Sequence, residues 1–261
     1  MSGKRKKSFR IFIIGSGNVA THIGKALFKS GHTITGVYSQ RPAHARKLAS
    51  HLHAAPFRHT DYIPESDFIL IAVKDDAIPE VVKNIGQSDA IVLHTAGSVD
   101  VSILKSFKKY GALYPLQTLS VRREVPFKNV PLCIEGSDPD TERQIELLAA
   151  SAGSPVYKMN SAQRLAAHTA AVFACNFTNF MYAQAEEILK AGRLNRELLF
   201  PLIEETAAKV KTMQAKEAQT GPALRHDQTT MNKHKTLLKK KKEQLKLYQL
   251  ISAMIAQSSG Q

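Results

Sequence analysis

Apolar positions in the first half of the chain fall in short continuous runs, and those in the second half recur at helical spacing. Ile11–Ile14 is an apolar run of strand length, broken by Gly15-Ser16-Gly17 and followed by a helical stretch from Asn18 to about Ser30. Thr33–Tyr38, Asp67–Val73, Ala90–Leu93 and Ala112–Tyr114 have the same strand character, and Pro131–Glu135 and Pro155–Tyr157 lie beyond them. Helical stretches at Pro42–His53, Ala77–Ile85 and Asp140–Ser151 separate them, with Pro79 tolerated in a first turn. Strands alternating with helices predict an α/β fold, a doubly wound parallel sheet.

Past Asn160 no strand signal remains, and an all-helical C-terminal domain is expected. Its longest helix runs from about Ser161 to Ala191 and carries no charged residue from Leu165 to Ala185, which predicts burial on most sides. His168, Asn176, Thr178, Asn179 and Gln184 interrupt it, so it does not read as a membrane span. At 3.6 residues per turn, His168, Val172, Cys175 and Asn179 share one face, with Asn176 at its edge. Buried polar groups need partners, so neighbouring helices satisfy this face or it lines a cleft. Further helices are expected within Asn195–Lys216 and at about Gln228–Lys240 and Glu243–Ala256. Asp227 suits the N-cap of the middle one. The division expected is a basic tail (1–8), a dinucleotide-binding domain (9–159) and a helical substrate and dimerisation domain (160–261), with a frayed end at Ser258–Gln261.

The first turn carries the chemistry. Gly15, Gly17 and Ala20 have the spacing G-x-G-x-x-A between a strand and a helix. In a dinucleotide site the first glycine permits the turn, the second lets backbone approach a pyrophosphate, and the alanine lets the helix pack close to the strand. Free N–H groups and the helix dipole then hold phosphate. Gly15, Ser16, Gly17, Asn18 and Val19 are therefore the expected pyrophosphate cradle. At the end of the next strand, where an NAD site usually carries an acidic residue, the chain reads Ser39-Gln40-Arg41. A hydroxyl and a guanidinium suit a 2′-phosphate, so NADP(H) is the expected cofactor, with Ser39 and Arg41 as its readers. Ligands of such sheets bind at the carboxyl ends of the strands. That edge adds Val73 and Lys74 along the riboses, His94, Thr95 and Ser98 near the nicotinamide and substrate, and Tyr114–Thr118, with Gln117 on the substrate.

Charge narrows the partners. The 261 residues carry a net charge of +14, concentrated in part at Lys4–Lys7 and Lys239–Lys242. Neither run is interleaved with aromatics and the chain lacks Trp, so both read as solvated surface and no specific nucleic-acid partner is expected. Cys133 and Cys175 lack metal-ligand spacing and read as reduced thiols of a cytoplasmic protein, with no metal site. The apolar run behind the basic start is too short for a signal peptide.

The segments GSGNVA, FILIAVKDDAI, LHTAGS, LYPLQT, RLAAHTAAVFACNFTN and TGPALRHD together resemble NADP-dependent oxidoreductases that join a Rossmann-like domain to an uncharacterised helical C-terminal domain. The resemblance spans nearly the whole chain. The cofactor half is also similar to pyrroline-5-carboxylate reductase, ketopantoate reductase and the 3-hydroxyacid dehydrogenases. These relatives imply a 6-phosphogluconate-dehydrogenase-like helical domain, a cleft between the domains and a homodimer through the helical domain. Their catalytic Lys–Asn pair does not carry over, because His168 and Val172 stand where it would be.

Hydride transfer to or from a small carbonyl, imine or hydroxy-acid substrate bound between the domains is the activity these features suggest. His168 is the expected proton donor, with His94 nearby, Asn176 or Asn179 on the substrate oxygen and Arg225 clamping a carboxylate. A protein that binds or senses NADP(H) without catalysis is the alternative.

Overall fold

Strand β1 (Arg10–Ile14) runs through the middle of the sheet in the computed structural model, which describes residues 7–258. It is followed by β2 (Thr33–Tyr38), β3 (Ala55–Phe57), β4 (Phe68–Ile71), β5 (Ile91–His94), β6 (Tyr110–Pro115), β7 (Leu132–Gly136) and β8 (Val156–Lys158). The eight strands form one sheet in the order β3-β2-β1-β4-β5-β6-β7-β8. Lys4–Lys6 of the basic tail, and Ser259, Gly260 and Gln261 of the expected frayed end, lie outside the described residues.

Alternation along each strand builds the two apolar layers. Ile11 and Ile13 face one side with Phe68, Leu70 and Leu93, and meet α1 (Asn18–Lys29), α2 (Pro42–His51) and α4 (Pro139–Ser151) through Ile23, Leu27, Leu48 and Leu148. Phe12 and Ile14 face the other side with Ile69, Ile71 and Val92, and meet Ile78 of α3 (Ile78–Asn84), Leu104 and Phe107. These strands are buried on both faces, which is why they read as unbroken apolar runs.

The sheet departs from the expected all-parallel form at one seam. β6 and β7 are antiparallel, with Leu113 opposite Ile134. Residues 116–131 contain an isolated bridge between Ser120 and Arg123 and a 3-10 turn at Phe127–Asn129, so no helical crossover carries the chain back to begin a parallel strand. β7 and β8 are again parallel, with α4 between them. β3 was absent from the pattern, because Ala55-Pro56-Phe57 is too short to show a period.

The chain divides into two compact units, Met1–Asn176 and Phe177–Gln261. The division falls later than the expected 159/160, because α5 (Ser161–Ala171) is fastened to the first unit. Arg164 of α5 is fully buried and bonds the Glu135 carboxylate on β7 and the Val99 carbonyl. Ser161 Oγ meets Glu135 at 2.8 Å, and Val101 donates to it at 3.2 Å. Asn160 and Gln163 close a capping box at the start of α5.

After α5 the backbone forms a π-helical segment, Val172–Phe177, and resumes as α6 (Thr178–Ala191). The expected single-face register of His168, Val172, Cys175 and Asn179 does not hold through it, because π-helical bonds reach five residues rather than four. Nor is the stretch buried on most sides: Arg164 is the one buried residue among the described residues of α5, the π segment and α6. An uncharged run records what a helix is able to bury, and within one chain little covers this one.

The second unit continues with α7 (Phe200–Thr212), α8 (Ala215–Ala218), α9 (Gln228–Leu238) and α10 (Lys242–Ser258). Gln244 of α10 donates to Glu187 of α6 at 3.0 Å, and His234 Nδ1 and the Tyr248 hydroxyl join α9 to α10 at 2.9 Å. Lys239–Lys242 form the corner between α9 and α10, where Lys241 reaches the Glu187 carbonyl at 3.3 Å.

Candidate functional site

The site grows from the end of β1. Gly15 has φ +123°, and a Cβ there would stand 2.1 Å from the Ala72 carbonyl oxygen, so only glycine passes between β1 and β4. Its N–H donates to the Tyr38 carbonyl at 2.7 Å, tying the turn to β2. Gly17 is the N-cap of α1; no side chain caps the helix there, and its first turn holds no acid. A Cβ at Gly17 would meet nothing within 4 Å. The helix therefore starts on open space with its first N–H groups uncapped by any side chain.

That space is a cavity of about 690 Å³ at the carboxyl ends of β1, β2 and β4. β1 and β4 flank the point where strand order reverses, the usual ligand crevice of such sheets. Gly15, Ser16, Gly17, Asn18, Val19, Ser39, Arg41, Val73 and Lys74, all expected at the cofactor, line this one cavity. The Ser16 and Ser39 hydroxyls are 2.7 Å apart, linking the ends of β1 and β2. Arg41 is the N-cap of α2, which also lacks a side-chain cap and an acid in its first turn. His44, Thr60, Glu80 and Asn84 also line it and were not foreseen. Of these only His44 left a signal, since it follows Arg41 by three residues and shares its helix face. Asn18 does double duty, because its Oδ1 accepts from Val121 N–H at 3.2 Å and holds the loop after β6 beside α1.

Thr95 and His94 correct the expectation. Thr95 is buried, its N–H donates to the Ile71 carbonyl at 3.1 Å, and it does not line the cavity. His94 is fully buried in β5, on the strand face it shares with Val92. Its Nδ1 accepts from Ala96 N–H at 3.2 Å. Burial, with the Arg164 guanidinium adding to it, pushes its pKa down to about 3, so it is neutral at ordinary pH, and its complete burial keeps it from meeting a substrate.

Beyond the cavity the same sheet edge carries a polar cluster. Asp75, next to the cavity-lining Lys74, accepts from the Ser98 hydroxyl. Ser98 follows Gly97, and a Cβ at Gly97 would stand 2.8 Å from the His168 ring. His168 Nδ1 in turn lies 3.0 Å from the Tyr114 hydroxyl at the end of β6. Burial raises Tyr114 to about 12, so at rest it is a phenol. Sequence reasoning brought Tyr114 to this edge without giving it a role, and it missed Asp75 and Arg164 as parts of this cluster. Gln117 is exposed and its side-chain oxygen accepts from the Thr118 N–H at 2.9 Å.

Of the other candidates, Asn176 is exposed in the π segment of the first unit. Asn179 in α6 and Arg225 before α9 are exposed residues of the second unit. Asp227 caps α9, with its carboxylate accepting from Thr230 N–H at 3.0 Å and the Thr230 hydroxyl at 2.7 Å. Cys133 is buried and Cys175 exposed, both as free thiols. Among the described residues no group of three His, Cys, Asp or Glu is placed to hold a metal ion, and no helix is long and apolar enough to cross a membrane.

Comparison with known proteins agrees with this architecture. Residues 1–119 match a Rossmann-like domain, and residues 130–255 match a domain of unknown function, DUF2520, whose match takes in β7, α4 and β8. A solved structure described as a "putative NADP oxidoreductase" from Bacteroides fragilis is 38% identical over 96% of this chain and 98% of its own, with a TM-score of 0.90. An imine reductase from Myxococcus stipitatus, solved with NADP+, is 17% identical over 95% and 93% with a TM-score of 0.69. A 1-pyrroline-5-carboxylate reductase from Streptococcus pyogenes is 16% identical over 97% and 99% with a TM-score of 0.61; these last two show a shared fold. No curated protein matches the chain. With a Rossmann-like domain followed by a DUF2520 domain, the chain belongs to the same family as the Bacteroides fragilis protein.

Proposed function

We propose that the protein is an NADP(H)-dependent oxidoreductase that passes hydride to or from a small carbonyl, imine or hydroxy-acid substrate. The cavity at the β1–β4 switch point carries the proposal. Gly17 leaves room where a Cβ would stand, α1 and α2 begin there without acids in their first turns, and Arg41 brings a guanidinium to the end of β2. That donor set fits an anionic dinucleotide with a third phosphate. The family membership shared with a protein described as an NADP oxidoreductase supports the same reading.

The Gly15–Val19 backbone would hold the pyrophosphate, Ser39 and Arg41 the 2′-phosphate, and Val73 and Lys74 the ribose side. When bound, the nicotinamide supplies the hydride chemistry. His168, reached from the cavity through Lys74, Asp75, Ser98 and Gly97, supplies the proton. Large apolar side chains exposed on the second unit, such as Phe180 (52%), Leu202 (64%) and Leu250 (61%), support a homodimer through the helical domain.

A titration of purified protein with NADPH and NADH, followed by ligand fluorescence, tests the proposal. NADPH should bind at least about tenfold tighter, the yield of one charge-assisted phosphate contact. Tighter NADH would refute the Arg41 assignment, and binding of neither would refute the function. Light scattering should give the mass of two chains.

A further inference from the structure

His168 is held more firmly than a half-exposed helical histidine needs to be. One turn earlier on α5, the buried Arg164 guanidinium bonds Glu135, the Val99 carbonyl at 2.5 Å and Ser161 Oγ at 3.1 Å, which fixes the helix against the loop after β5 and the end of β7. The imidazole then packs on Gly97, where a Cβ would stand 2.8 Å from its Cγ and Nδ1. Tyr114 meets it edge to face, with ring centroids 5.9 Å apart at 74°, and its hydroxyl lies 3.0 Å from Nδ1. The ring cannot turn over without breaking that hydrogen bond and pressing into the Gly97 backbone.

This arrangement decides which nitrogen does what. Among the described residues, the Tyr114 hydroxyl has one hydrogen-bond partner, His168 Nδ1. If Nδ1–H donated to the phenol oxygen, the half-buried O–H would find no acceptor among the described residues. If the O–H donates to Nδ1, both groups are satisfied, and the unpaired donor is avoided. We infer that Tyr114 is the positioning residue of His168: its hydroxyl donates to Nδ1, holds the neutral imidazole as the Nε2–H tautomer, and supplies the proton that Nδ1 takes up when Nε2–H is given to substrate.

The inference rests on the proposed reductase reading and completes its proton balance. Hydride adds to the carbonyl carbon, the C=O π pair moves onto oxygen, and that oxygen takes the Nε2 proton. Nδ1 receives the Tyr114 proton as Nε2 loses its own, so the imidazole stays neutral. Water then reprotonates Nε2 and Nδ1 returns its proton to the phenolate, which restores the Nε2–H tautomer and the Tyr114 hydroxyl. The transfer runs downhill, because an alkoxide is about as strong a base as hydroxide, the conjugate base of water at pKa 15.7, and a phenolate is weaker.

Two measurements keep this inference separable from the reading it builds on. The first needs no substrate: nitrogen-15 NMR of the full chain, with the His168 ring signals assigned by their loss in His168→Gln. In the neutral ring, Nδ1 should give the signal of an acceptor nitrogen and Nε2 that of N–H, and Tyr114→Phe should move the Nδ1 signal. An Nδ1–H tautomer, or shifts indifferent to Tyr114→Phe, would overturn the inference while leaving the cofactor site untouched. The second is turnover against NADPH with a ketone or imine found by screening. Tyr114→Phe should lower kcat by about 10²-fold or more with KM within about threefold, the usual share of a positioned proton donor. Unchanged kcat in that variant would overturn the relay, and full turnover in His168→Ala would overturn the proton-donor reading together with it.

Discussion

Replacing Gly17 by alanine separates what the phosphate turn does for a ligand from what it does for the fold. Gly17 has φ −76° and ψ −167°, extended backbone that alanine adopts without strain, and its added Cβ would meet no protein atom within 4 Å. Folding should therefore be unharmed. A glycine replaced at a compatible position even gains about 0.4–1 kcal/mol, because the unfolded chain loses freedom. The methyl group would instead occupy the space before the uncapped N–H groups of α1, where a pyrophosphate oxygen has to approach. Losing one such charge-assisted hydrogen bond costs about 1.5–3 kcal/mol, which is about a 10- to 150-fold rise in the Kd for NADPH. Gly15→Ala is the opposite control. Its Cβ would lie 2.1 Å from a backbone oxygen of β4's exit at φ +123°, so that variant should lose about 2 kcal/mol or more of stability. Isothermal titration with NADPH, alongside urea unfolding of both variants, measures the two effects. Wild-type NADPH affinity in Gly17→Ala, with folding intact, would refute the placement of phosphate on α1.

Three further outcomes are expected. Arg41→Ala should weaken NADPH about tenfold or more and leave NADH unchanged, as read by paired titrations; equal losses for both would remove Arg41 from the 2′-phosphate. The native state disfavours protonating His94, whose pKa falls from 6.5 to about 3, so its stability is complete above pH 6.5 and drains as pH falls from there toward 3. At about 1.36 kcal/mol per unit the loss is at most about 4–5 kcal/mol, and His94→Asn, which keeps an acceptor for Ala96, should flatten the acid limb of a urea-midpoint profile. Arg164→Met strips the partner from Glu135 in a buried pair and should cost about 3–5 kcal/mol by urea unfolding; a loss under about 1 kcal/mol would show that the pair does not fasten α5.

The parts of this molecule that were legible in the sequence are those whose physics is local. Gly15, Gly17 and Ala20 carry their geometry in their spacing, and the rule that ligands gather at strand ends added Ser39, Arg41, Val73 and Lys74 to the same cavity. His94 failed for a reason the sequence held but adjacency hid: it is in phase with Val92, so it points into an apolar layer rather than out of the strand end. Tyr114 stands 54 residues from His168, and nothing in either neighbourhood announces the pair. The antiparallel β7 followed from a connector without a helix, and the wheel drawn through His168 and Asn179 assumed a period that Val172–Phe177 does not keep.

The helix starts of the first unit divide the chain's own electrostatics in a way that residue counting does not see. α4 begins with Asp138 accepting from two backbone N–H groups and carries Asp140 and Glu142 in its first turn, so it supplies its own counter-anion. α1 and α2, which open on the cavity, have none. Each such start is worth roughly half an elementary charge, so together they place about one positive charge on the cavity that belongs to no side chain and forms no part of the +14. That charge has no pKa. It persists at every pH at which the helices are folded and survives any exchange of Lys or Arg around the rim, which makes attraction of an anion the most durable property of this cavity.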